Sequence, residues 1–323
     1  MEPIRVNLWE EGEYTYPAAF GFRPNLRLYL HEDDEVRPCV LVIPGGGYRY
    51  VSPSEGEIVA RCFFDKGYQT LVGTYTVNCG DLAPLKTQPL QDLARMVRVI
   101  RKNAAAWRVN PSGIVLCGFS AGAHACGSLC VFWKEVREEN DGYASFSCRP
   151  DGAILSYPVI TSGPSAHRDS FVALLGASAG PEELWKMSLE CQVTPDTPPV
   201  FLWQTANDGS VPVENSYLMA QALKAAGVPF SHHVFPRGQH GLSLSNRDWE
   251  ERNFGEPYTL EQSRLTAEAA LRGEVQLPPR GQEMLAGFLH PDSPPATKWT
   301  NIPVREAAVW PDLADCWMQE NIT

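Results

Sequence analysis

Gly118-Phe119-Ser120-Ala121-Gly122 is a G-x-S-x-G pentapeptide. The apolar run Ile114-Val115-Leu116-Cys117 precedes it, and the small-residue run Ala123-His124-Ala125-Cys126 follows. A strand, a tight turn and a helix in that order hold a serine hydroxyl at the turn, and the strained turn requires small neighbours. On its own the pentapeptide also fits a glycine-rich turn that merely starts a helix. A serine hydroxyl is a poor nucleophile at neutral pH and needs a nearby base, which in turn needs an orienting carboxylate. Asp208 lies in Trp203-Gln204-Thr205-Ala206-Asn207-Asp208-Gly209, and His240 lies in Phe235-Pro236-Arg237-Gly238-Gln239-His240-Gly241. Each loop follows an apolar strand-like run. The order serine, acid, histidine then assigns Ser120 as nucleophile, His240 as general base and acid, and Asp208 as the group that fixes the imidazole tautomer.

Other residues of the right type fit less well. An Asn-Asp-Gly triplet is usually just a turn, and Asn207 carries no charge to stabilise an imidazolium. His124 stands four residues after Ser120 and is expected to pack against the helix. His232 and His233 lie inside a strand, where at least one should face the core or a helix, and neither is assigned a role. The oxyanion of a tetrahedral intermediate needs N–H donors held ready for it. The Ala121 amide, just after the nucleophile, is one. The loop Pro44-Gly45-Gly46-Gly47-Tyr48 can supply others, because glycine lets backbone approach a substrate closely. That loop lacks both the Gly-Lys-Ser/Thr ending and the G-x-G-x-x-G spacing of phosphate-binding loops.

Alternating short apolar strands and helices must position these groups. Strands are expected at residues 25–30, 39–43, 70–75, 114–117, 153–156, 200–203 and 230–235. Helices are expected at 55–66, closed by Gly67, at 89–107, at 213–226, closed by Gly227, and at 261–272. The first 24 or so residues read as turn-rich. This pattern indicates an α/β fold with a mostly parallel central sheet covered on both faces. Residues 162–196 form a long connection that could cap the site. Residues 246–303 carry many charges and Pro-Pro pairs, and read as an insertion acting either as a lid or as an oligomer contact.

The chain has 323 residues, 44% hydrophobic and 20% charged, which suits one globular unit with a sizeable core. Its net charge of −11 and lack of a Lys/Arg cluster argue against nucleic-acid or anionic-membrane partners. The first residues lack a basic stretch followed by an apolar one, so no secretory signal is expected. Nine cysteines, several inside apolar runs, suit reduced thiols and a cytoplasmic location. Cys126 and Cys130 lie one helical turn apart, but no Cys-x-x-Cys and no histidine pair at helical spacing accompany them. No metal is expected, and the chemistry calls for no cofactor.

Four motifs together resemble the carboxylesterase branch of the α/β-hydrolase fold, and more closely bacterial acetylesterases and xylan-esterase-like enzymes. They are Ile43-Pro44-Gly45-Gly46-Gly47-Tyr48, Cys117 through His124, Ser156-Tyr157-Pro158-Val159-Ile160 and Phe235 through Gly241. The likeness covers about residues 25–245 and a closing helix near 309–319. It implies that Gly46 and Gly47 carry oxyanion amides. It also implies a serine esterase for short acyl, chiefly acetyl, esters, such as those of acetylated sugars or xylo-oligosaccharides. Pro44 departs from the branch's pattern, which has a histidine there, and the resemblance is silent on 246–303. Tyr48, Tyr50 and Trp203 are candidates to stack on sugar rings near the mouth. The alternatives are a prolyl-oligopeptidase-type serine peptidase and a non-catalytic hydrolase-fold binding protein.

Overall fold

A computed structural model describes residues 3–292 and 300–322. Part of the 246–303 segment therefore lies outside the described residues. Eight strands form one sheet: β1 (Ile4–Asn7), β2 (Asn25–Tyr29), β3 (Arg37–Ile43), β4 (Gln69–Thr74), β5 (Val109–Phe119), β6 (Gly152–Ser156), β7 (Val200–Thr205) and β8 (Phe230–Phe235). Their spatial order is β1-β2-β4-β3-β5-β6-β7-β8. β2 runs antiparallel to both its neighbours, and β3 to β8 are mutually parallel.

Strands β4, β6 and β7 are buried along their length, β3 and β5 are buried toward their C-terminal ends, and the edge strand β8 is half-buried, so in the central strands successive side chains enter different cores. On β3, Cys39, Leu41 and Ile43 join one core, and Val40 and Val42 the other. On β5, Ile114 and Leu116 face the first core, and Val115, Cys117 and Phe119 the second. Helices Gln88–Lys102 and Ala121–Phe132 cover the first face, while Glu57–Asp65 and Trp310–Asn321 cover the second. Fully burying each Val or Leu contributes about 1.5–3 kcal/mol, which makes the register of the central strands strongly specified.

Strand β5 begins at Val109, well before the expected 114, and the helix expected at 55–66 starts only at Glu57, after a separate turn Pro53–Glu55. Two further departures have a clear structural cause. β1 forms where a turn-rich stretch was expected. Its four residues, Ile4-Arg5-Val6-Asn7, alternate apolar and polar but are too few to mark a strand by themselves, three of them are exposed, and the strand is held by the pairing of Ile4 to Asn7 with Leu28 to Asn25. The helix expected at 89–107 stops at Lys102, where Asn103 turns its side-chain amide back to the Val99 carbonyl (2.8 Å). The other expected helices end close to their glycines, with Gly67 and Gly227 at positive φ.

Candidate active site

The position of Ser120, the candidate nucleophile, is set by the end of β5. Ser120 has φ 51° and ψ −118°, a conformation that costs a non-glycine residue about 1–3 kcal/mol. Its neighbours hold it there: the Ser120 amide donates to the Ser156 carbonyl (3.0 Å), and the Ser120 carbonyl accepts from Val159 (3.2 Å). The elbow tolerates no bulk. A Cβ on Gly122 would run into the carbonyl oxygens of Ile43 and Pro44, and one on Gly118 would lie 2.7 Å from both Ala123 Cα and Cys126 Sγ.

Asp208 and His240 reach the serine from the loops after β7 and β8. Ser120 Oγ lies 2.8 Å from His240 Nε2, and His240 Nδ1 lies 2.7 Å from Asp208 Oδ2. The other Asp208 oxygen accepts from the amides of Ser210 (2.8 Å) and Val211 (2.9 Å). A carboxylate only accepts, so Nδ1 carries the proton and Nε2 presents its lone pair to the serine hydroxyl. The Asp208 side chain is wholly buried and the His240 side chain is 21% exposed, so the carboxylate is shielded while the imidazole reaches the cleft. Asn207 acts as a strut: its side-chain oxygen accepts from the Gly238 amide (2.8 Å) and so fixes the histidine loop.

The glycine loop follows β3. Gly46 (φ 119°) and Gly47 (φ 64°) adopt backbone conformations that other residues avoid. The Gly46 carbonyl is engaged by the Arg49 amide (2.9 Å). Ala121 begins its helix, where an amide has no intrahelical acceptor and the helix dipole favours negative charge. Gly46, Gly47, Ser120 and His240 line a common cleft of about 710 Å³.

Of the three aromatic candidates, only Tyr50 lines this cleft, and it is 46% exposed. Tyr48 and Trp203 do not face it, which corrects the expectation from sequence. Tyr48 has φ 61° and turns under the loop, where its hydroxyl meets His124 Nδ1 (2.7 Å). Trp203 is in the core, stacked on Trp310 at 5.3 Å, with its indole N–H donating to Ser156 Oγ (2.7 Å). His124 is buried, as expected of a packing residue. Its Nε2 faces the Met187 carbonyl (2.9 Å) and so carries the proton, which leaves Nδ1 to accept from Tyr48. His232 contacts Ser216 Oγ on helix Glu214–Ala226 (3.1 Å), and His233 packs on Phe201.

Sequence reasoning missed the second ring of residues. Glu55, Tyr157, Arg49, Asp169 and His167 all border the triad or the cleft. Their signals were local, such as Glu55 in a helix-start pattern, and nothing in one sequence pairs them. Burial lowers the affinity of His167 for a proton, and the nearby His240 adds to this. The 246–303 segment forms much of the cleft's far wall through Trp249, Phe254, Leu260, Met284 and Phe288. Among the described residues, no group of three or more His, Cys, Asp or Glu is placed to hold a metal ion. No described helix is long and apolar enough to cross a membrane.

The BD-FAE family model matches residues 26–223. The chain is 51% identical over 263 residues to endo-1,4-beta-xylanase B of Butyrivibrio fibrisolvens, a match covering 81% of this chain and 41% of that protein. It is 28% identical over 238 residues to the acetylxylan esterase of Xylanibacter ruminicola, covering 72% of this chain and 46% of that protein. The chain thus spans less than half the length of these two curated relatives. The crystal structure of an acetyl ester-xyloside bifunctional hydrolase from Caldicellulosiruptor lactoaceticus superposes with TM-score 0.71 at 34% identity, covering 85% of this chain and 98% of that one. With its strand order and elbow, the chain has the α/β-hydrolase fold and belongs to the BD-FAE family.

Proposed function

We propose that this protein is a serine esterase that removes short acyl groups, chiefly acetyl, from xylan-type sugars through an acyl-enzyme on Ser120. The observation that carries the reading is the continuous relay Ser120–His240–Asp208, with both hydrogen bonds at 2.7–2.8 Å and its serine open to the cleft. The names of an acetylxylan esterase and an acetyl ester-xyloside hydrolase among its relatives support the substrate class.

In this mechanism His240 takes the Ser120 proton as Oγ attacks the ester carbonyl carbon. The carbonyl oxygen becomes an oxyanion, held by the amides of Gly46, Gly47 and Ala121. Collapse expels the alcohol, which receives the proton from His240. Water, activated by the same imidazole, then attacks the acyl-serine and releases the carboxylic acid. Tyr50 offers a ring face to the sugar at the mouth. Because the 246–303 segment lines the cleft, the lid reading of that segment is favoured over the oligomer contact.

The test is acetate release from acetylated xylo-oligosaccharides, beside hydrolysis of p-nitrophenyl acetate. Ser120→Ala should lower both by ~10⁴-fold or more and abolish labelling by a fluorophosphonate probe. A protein that releases neither product would end the esterase reading, and labelling that survives Ser120→Ala would end the assignment of the nucleophile.

A further inference from the structure

Glu55 is 3% exposed and lines the cleft, yet it forms none of the relay's hydrogen bonds. Its Oε2 accepts from the Gly45 amide (2.8 Å), and its Oε1 accepts from the Tyr157 hydroxyl (2.7 Å). Gly45 directly precedes the two loop glycines. Tyr157 reaches the opposite side of the site: its ring packs edge-on to His240 at 5.0 Å, and its hydroxyl oxygen accepts from the Ser243 amide (3.0 Å). Ser243 stands three residues after His240, and its own hydroxyl donates to the Ser54 carbonyl (2.5 Å). The short turn Pro53–Glu55 therefore holds the glycine loop through one carboxylate oxygen and the histidine loop through the other.

A buried carboxylate is costly unless it is paired or fully hydrogen-bonded. Among the described residues no arginine or lysine forms an ion pair with Glu55. Burial raises the affinity of Glu55 for a proton, and the Tyr157 and Gly45 donors oppose that. A glutamate with no arginine or lysine beside it, bonded to donors from the two loops that must cooperate and lying within electrostatic reach of His240, is hard to account for as packing alone.

We propose that Glu55 is a positioning residue. By bridging Gly45 to the Tyr157–Ser243 pair, it holds the oxyanion donors and His240 in one rigid frame. This rests on the esterase reading above, because it assigns work to the same amides and the same base. A shift of about 1 Å between such groups is enough to cost ~100-fold in rate, while substrate binding elsewhere in the cleft is untouched.

The test is a series at one position, with rates normalised to active sites by fluorophosphonate titration. Glu55→Ala should lower kcat on p-nitrophenyl acetate by ~100-fold with KM changed by less than about threefold. Glu55→Gln keeps the shape and one acceptor oxygen, and should lose only ~10-fold in kcat. It carries the test alone if the alanine variant does not fold. Tyr157→Phe combined with Glu55→Ala should cost less than the sum of the two single losses, because the two residues share one hydrogen bond. Wild-type kcat in Glu55→Gln, or a loss confined to KM, would overturn the proposal. Ser120→Ala in the same assay separates the two claims. If it stays active the nucleophile is wrong, whereas a dead Ser120→Ala beside fully active Glu55 variants rejects the positioning role only.

Discussion

Ser120 directly precedes the helix Ala121–Phe132 and His124 lies in its first turn, yet the two meet opposite environments. Ser120 opens to the cleft, while His124 is sealed between Tyr48 and the Met187 carbonyl. Burial lowers the His124 pKa from 6.5 to about 4, and the Met187 hydrogen bond opposes the shift. The folded pKa lies below the unfolded one, so the unfolded chain takes up this proton first as pH falls. Stability from this site is therefore complete above about 6.5 and lost as pH falls toward about 4. The loss approaches ~3 kcal/mol for a shift of this size. His124→Gln should be less stable at pH 7, by ~1 kcal/mol for a lost hydrogen bond, yet lose less stability between pH 7 and 4.5. Urea unfolding at both pH values measures it, and equal losses in the two proteins would contradict the assignment. Tyr48 is part of this buried device, which is why it is unavailable to a sugar.

The elements that roof the cleft are tied down by polar contacts. Helix Glu261–Leu271 is anchored by Gln262, whose side chain accepts from the Val77 amide (2.9 Å) and donates to the Val77 carbonyl (2.7 Å). Arg49, next to the glycine loop, donates to Asp81 (2.5 Å) and to Asp169 (3.0 Å). Asp169 belongs to helix Arg168–Leu175 and also pairs with Arg280 on helix Pro279–Met284. One carboxylate thus joins the glycine loop, the 162–196 connection and the 246–303 segment. The Arg49 side chain is 6% exposed, so this junction is screened less than a surface ion pair. Asp169→Ala should raise KM for acetylated xylo-oligosaccharides by ~3–10-fold, the loss expected for one or two weak contacts. On p-nitrophenyl acetate, which needs no roof, kcat should stay within about twofold. Equal effects on both substrates would mean that the junction supports the reacting centre rather than the roof.

Across the whole molecule, the sheet divides two hydrophobic cores, and most of the cysteines lie within or against them. All nine cysteines are free thiols, and only Cys191 and Cys316 are exposed. Burial pushes the Cys62 and Cys79 thiols up to about 11, far from the reactive thiolate range. Two thiols should react rapidly with Ellman's reagent in the native protein and nine after unfolding, and reductant should leave the melting midpoint unchanged. A midpoint that drops on reduction would reveal a disulfide in solution.

Much of this frame is legible one residue at a time. The elbow at 118–122 and the stop glycines 67 and 227 follow from local chemistry, because the backbone conformation each requires excludes most residues. The central strands are legible because their buried stretches, such as Val40-Leu41-Val42-Ile43 and Ile114-Val115-Leu116-Cys117, are runs of apolar residues that face a core on both sides. β1 was not, because an exposed edge strand exists only through its partner β2. Trp203 and Tyr48 were misplaced because the wall an aromatic faces depends on pleat and on backbone sign, and a chain read linearly shows neither.

The sequence by itself determined which residues could do the chemistry and in what order they arrive, since nucleophile, base and acid are set by side-chain type. Only the tertiary structure decided which groups hold them. Glu55 reaches Tyr157 across 102 positions, and Asp169 joins Arg49 across 120. Contacts that distant arise from packing, in which each side chain is chosen by neighbours that only the folded sheet brings within reach.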